Sequence, residues 1–81
     1  MSQNVVGPRI RQIRSSHGWT QEVLTAKCNV FGWDISRGTL AKVEAGVRRV
    51  TDAELYVLAG CLNVEIASLY PSKKAVVESL I

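Results

Sequence analysis

The sequence predicts an all-α domain of five helices followed by a short tail helix. Three observations lead there. Apolar residues recur at helical spacing in successive short segments. Those segments are bounded by hydroxyl caps at Thr20, Ser36 and Thr51 and by stops at Gly18, Gly46 and Pro71. A hydrophobic share of 47% beside 21% charged residues, in 81 residues, describes a folded chain with one modest core.

Met1 to Gly7 carries no periodicity and no charge, and reads as a flexible arm, 1–7. Pro8 suits the first turn of a helix, where its missing N–H costs nothing, and Ile10 and Ile13 share one face while Arg9 and Arg11 occupy the other. The break falls at His17-Gly18. As the only histidine, with no nucleophile or second ligand beside it, His17 reads as a helix C-terminal residue favoured by the dipole.

The second helix starts at the cap Thr20 and runs through Val23, Leu24 and Cys28. The third starts at Ser36, places Leu40 and Val43 on one face, and stops where Gly46 can turn left-handed. Trp19 with Leu24, and Ile35 with Leu40, have the spacing of hydrophobic staples. Between the two helices lies VFGWDI, Val30 to Ile35, whose alternating Phe31, Trp33 and Ile35 are expected to fold onto the core.

The fourth helix is the best marked. Thr51-Asp52-Ala53-Glu54 has capping-box spacing, Val50 and Leu55 form a third staple, and Leu55, Leu58, Ala59 and Leu62 make a buried stripe. Asn63 and Val64 break it. A fifth short helix is expected from Glu65 to Tyr70 with Ile66 and Leu69 inward, ended by Pro71. In the tail, 72–81, Val76, Val77, Leu80 and Ile81 leave an apolar stripe that either packs on its own core or meets a second subunit.

Two of these stretches, Thr20-Gln21-Glu22-Val23-Leu24 and Leu40-Ala41-Lys42-Val43-Glu44-Ala45-Gly46, resemble the phage-repressor and Cro-like (XRE-type) helix-turn-helix family. That family has a T-Q-x-x-L opening and an I-x-x-x-E-x-G close. The resemblance covers Ile10 to Tyr70. It implies a lambda-repressor-like five-helix DNA-binding domain over 8–71, in which Val30 to Ile35 makes an enlarged loop between helices 2 and 3.

The resemblance also assigns roles. The third helix would enter the major groove by its N-terminal end, with Ser36, Arg37, Gly38, Thr39 and Lys42 at the base edges. Arg37 is best placed to pair with guanine N7 and O6. Gly38 has two readings, close approach of DNA or relief of crowding by the preceding loop, and crowding is favoured. Gln21, Arg48 and Arg49 would bind phosphates, and Arg14 and Glu44 would form a buried ion pair.

Charge agrees with this. The net charge of +3 is unremarkable alone, but Ser36 to Val50 carries Arg37, Lys42, Arg48 and Arg49 against the single acid Glu44. Cys28 and Cys61 lack the paired spacing or accompanying histidine of a zinc site and read as two buried small hydrophobes. No apolar run approaches the roughly 18 residues of a membrane span, so a soluble cytoplasmic protein is expected.

The function expected is a sequence-specific transcriptional regulator of the repressor or Cro type that reads a palindromic operator in double-stranded DNA as a homodimer, with no cofactor, metal or small-molecule ligand. The rivals are an antitoxin or accessory regulator acting with a protein partner, and a helical interaction module that does not bind DNA. The basic cluster argues against the module. An enzyme is least consistent with the sequence, which offers no Cys/His or Ser/His/Asp set, no metal-ligand cluster and no phosphate loop.

Overall fold

The computed structural model describes residues 2–81. Its elements run α1 (Gly7–Ser16), α2 (Gln21–Phe31), α3 (Arg37–Glu44), α4 (Asp52–Leu62), a 3-10 turn (Ile66–Leu69) and α5 (Lys73–Glu78). Local chemistry sets the boundaries. Thr20, Ser36, Thr51 and Ser72 each accept a backbone N–H three residues on, and Glu54 returns a bond to the Thr51 N–H, completing the capping box. At the end of α3, Gly46 takes φ +78°, so that its N–H reaches the Val43 carbonyl and the Val47 N–H reaches that of Lys42.

The core is built from one stripe of each helix. Ile10 and Ile13 of α1, Leu24 and Cys28 of α2, Leu40 and Val43 of α3, and Leu58, Ala59 and Leu62 of α4 are buried with Val6, Ile35 and Leu69. Each fully buried leucine or isoleucine contributes about 1.5–3 kcal/mol relative to exposure. α2 packs along α4, while α3 lies across α1 and α2 and so has its inner face fixed from two sides. α1 and α4 close on the 3-10 turn, where the Arg9 Nε donates to the Ser68 carbonyl at 2.9 Å.

Several expectations are corrected here. The flexible arm is instead seated. Asn4 Nδ2 donates to the carbonyls of Val43 (3.1 Å) and Arg48 (2.7 Å), its Oδ1 accepts from the N–H groups of Val6 and Gly7, and the Gln3 N–H donates to the Gly46 carbonyl. Val6 is buried, and a side chain at Gly7 would collide with the Val43 carbonyl, so α1 begins in close contact with the end of α3. Met1, the rest of that expected arm, lies outside the described residues.

Val30 and Phe31 remain helical, so the connection between α2 and α3 is Gly32 to Ser36 and not Val30 to Ile35. Trp33 and Ile35 do turn onto the core, but the Phe31 ring is half-exposed and lies across Gly60 of α4, edge-on to Tyr56. The fifth helix is a single 3-10 turn in which Leu69 is buried but Ile66 is exposed. Cys61 is only half-buried, and it lies near the buried Cys28 across α2 and α4. Burial pushes the Cys28 thiol up to about 12, which keeps it protonated and inert at neutral pH. α5 has no buried residue, and Val77, Leu80 and Ile81 stand in solvent.

Candidate nucleic-acid interface

α3 has two opposed faces. Leu40, Val43 and Glu44 turn inward, while Ser36, Arg37, Gly38 and Lys42 are exposed and Thr39 is half-buried. Ser36, Arg37 and Gly38 therefore gather at the N-terminal end of α3, and Lys42 stands out from its last turn. The Ser36 hydroxyl accepts from the Thr39 N–H at 3.1 Å and donates to Thr39 Oγ1 at 3.0 Å, which leaves the Thr39 hydroxyl hydrogen available outward. Arg37 Nε lies 3.4 Å from Glu22 Oε1, but both side chains are more than half exposed, so water competes for the pair and the guanidinium is readily released. Lys42 forms no ion pair among the described residues.

At Gly38 the crowding explanation fails. An added Cβ would meet only Ser36 Oγ at 3.9 Å, an ordinary contact, so the preceding loop leaves this position open.

Behind this surface, the inner end of α3 is held by a polar network. Arg14 Nε donates to Glu44 Oε2 at 2.7 Å and Arg14 Nη2 to Glu44 Oε1 at 3.0 Å, while its Nη1 donates to the Trp19 carbonyl at 2.7 Å. The hydrogen bond to Glu44 raises the Arg14 guanidinium above its ordinary value. Gln21 Nε2 also donates to Glu44 Oε1 at 3.0 Å, so one of its two amide hydrogens braces the pair and one remains free. Three side-chain N–H groups thus donate to this nearly dry carboxylate, and they join α1, α2 and α3 at one point.

The loop after α3 separates the two arginines. Arg48 grips Glu54 with both terminal nitrogens, at 3.0 and 3.1 Å, and donates to the Arg49 carbonyl. That grip, with the Thr51 N–H, holds the Glu54 carboxyl below its ordinary range. The Arg48 guanidinium is thus engaged within the chain, tying the loop to the start of α4. Arg49 is exposed, as is Val47 beside it.

Three contributors were not found by sequence reading. Asn4 was passed over because its segment lacks charge, although an Asn shortly before Pro8 is a recognisable capping signal for the helix start. The local pattern marks Glu54 only as a cap, and it gives no role to Glu22, which lies beside Arg37. The aromatic stack of His17 on Trp19, centroids 4.4 Å apart, with Lys27 Nζ over the Trp19 ring, lies at the α1–α2 corner. It contributes packing there, and the His17 ring nitrogen Nε2 reaches the Leu62 carbonyl at 3.0 Å.

A helix capped by Thr20, a short connection and an outward-facing second helix make a helix-turn-helix, and the helix-turn-helix family model matches residues 10–69. The chain belongs to the XRE-type helix-turn-helix family. This helix-turn-helix protein is similar to the restriction-modification controller protein C.AhdI from Aeromonas hydrophila, with 29% identity over 80% of this chain and 91% of that one and a TM-score of 0.71. It shares its fold with the hypothetical transcription factor NHTF from Neisseria, at 20% identity over 98% and 85% of the two chains and a TM-score of 0.74. A variant of the restriction-modification controller protein C.Esp1396I has the same fold, at 24% identity over 99% and 96% and a TM-score of 0.69. No curated protein matches the chain significantly. The family makes this helix-turn-helix protein a DNA-binding transcriptional regulator and not an enzyme. Among the described residues no helix is long and apolar enough to cross a membrane.

Proposed function

We propose that this chain is a sequence-specific regulator of the repressor or Cro type that reads a palindromic operator as a homodimer. The observation that carries the reading is the division of α3: its buried side is locked by Arg14, Gln21 and Glu44, and its solvent side presents Arg37 from the first turn and Lys42 from the last. A rigidly seated helix with a releasable arginine is what base reading needs, because phosphate contacts set the register and base edges then discriminate. In this reading Arg37 pairs with a guanine, and Ser36, Gly38, Thr39 and Lys42 complete the base-edge surface. Arg49 and the free amide hydrogen of Gln21 meet phosphates, while Arg48 holds the loop that presents Arg49.

The dimer is supported by the tail. Val77, Leu80 and Ile81 are 47%, 81% and 97% exposed, and a helix as short as α5 is marginal in water without something to pack against. A second copy would cover that stripe and set two half-sites about 34 Å apart. The similarity to C.AhdI favours a particular setting, control of a restriction-modification system, over an antitoxin or accessory role with a protein partner.

Selection of bound sequences from random DNA, paired with sedimentation, tests the reading. The expected result is a palindrome bound by a dimer with a steep loss of affinity as salt rises. Truncation after Pro71 is expected to leave a folded monomer with weak half-site binding. A chain that enriches no sequence and shows no salt dependence would be a helical interaction module instead.

A further inference from the structure

Five of the six glycines have a reason inside the molecule. Gly18, Gly32 and Gly46 hold positive φ, and side chains at Gly7 and Gly60 would strike the Val43 carbonyl and the Phe31 ring. Gly38 has neither reason: its backbone is helical and its surroundings are open. A glycine in a helix carries an entropic penalty that alanine would remove, so the position is occupied against the interest of the fold.

Resting on the operator-reading role given above, we propose that Gly38 is a specificity determinant that admits the methyl group of a thymine against the α3 backbone. The surface around it has the matching chemistry. Ala41 follows one turn on and Ala45 two turns on, along the same side of the helix, so the groups flanking Gly38 there are small and apolar, with Lys42, also one turn on, bordering them on the other side. In the major groove the thymine C5-methyl is the protruding apolar group of the base edges. A purine would instead bring its N7 acceptor against glycine and alanine, whose side chains have no donor for it, and cytosine, with only C5–H at that position, would leave the apolar contact unmade.

The test uses the full chain and its selected operator, with thymines in each half-site replaced one at a time by deoxyuridine. Gly38→Ala is expected to raise Tm by about 2–8 °C and to bind the unaltered operator roughly tenfold more weakly, as overpacking by one methyl would cause. At one position per half-site, deoxyuridine should weaken the unaltered protein and restore the variant, because the DNA then gives back the volume the protein took. Two results would overturn the inference while leaving the regulator reading intact: full operator affinity in Gly38→Ala, or weakened binding that no deoxyuridine position restores. If the unaltered protein selects no sequence at all, both fall together.

Discussion

The two ends of α3 each carry an ion pair with a neighbouring helix, and the pairs behave as opposites. At the inner end Arg14 and Glu44 meet at 2.7 Å with side chains 12% and 2% exposed; at the outer end Arg37 and Glu22 stand 3.4 Å apart at 61% and 66%. Burial decides the difference. A dry, fully bonded pair cannot be opened without stranding a charge, whereas a solvated pair opens at almost no cost. One eight-residue helix is therefore clamped at one end and open for exchange at the other.

The largest effect should come from breaking the clamp. Glu44→Ala leaves the Arg14 guanidinium and the Gln21 amide without their acceptor and is expected to lower stability by about 3–5 kcal/mol. The exposed Glu78→Ala should stay within about 0.5 kcal/mol of the unaltered chain. Equal denaturation midpoints for the two variants would remove the distinction between the ends.

Arg37→Ala sharpens the comparison from the other side. Its cost should fall on DNA, about 1–3 kcal/mol with relaxed preference at one base pair. The melting temperature should hold. A loss of stability without loss of selectivity would mean that the outer pair is structural too.

Glu54 provides an intermediate case, a half-buried acceptor for Arg48. Because its folded carboxyl is held below its ordinary value near 4.5, its contribution is fully present above that value and is lost as pH falls through and below it. Glu54→Gln should accordingly lower stability at neutral pH and narrow the gap from the unaltered protein at about pH 3. Urea midpoints at the two pH values measure this, and a gap that widens in acid would refute the assignment.

The smallest effect is expected at Glu22. Glu22→Gln should leave stability within about 1 kcal/mol, and should tighten DNA binding by less than about fivefold, since it frees Arg37 and removes an anion near phosphate. Titration at low and high salt would check the sign, which should fade as salt screens it.

The parts of this architecture legible in the sequence are those whose causes are local. Thr20, Ser36 and Thr51 act on N–H groups three residues away, and the stripe of Leu58, Ala59 and Leu62 follows helical spacing, so boundaries and core faces could be read directly. The Arg14 and Glu44 positions came from family resemblance, because nothing local joins them. Arg48 to Glu54 was missed since the loop between them has no pattern that fixes its path, and Cys28 to Cys61 since their contact spans two helices. Ile66 was turned the wrong way because one 3-10 turn holds too few residues for periodicity to define a face. It sits instead beside Phe31 and Tyr56, on the outer side of α4.

Asn4 ties together residues that are 39 and 44 positions apart, and in doing so it makes the first turn of α1 depend on the last turn of α3. That dependence has a kinetic side. The amides of Val6 and Gly7 find their acceptor in a side chain that is itself held by Val43 and Arg48, contacts of long sequence separation that are expected to form late in folding. Fraying at the N-terminus and loosening of the end of α3 thus belong to one cooperative opening, and hydrogen exchange at Val6, Gly7 and Val47 should proceed at a common free energy.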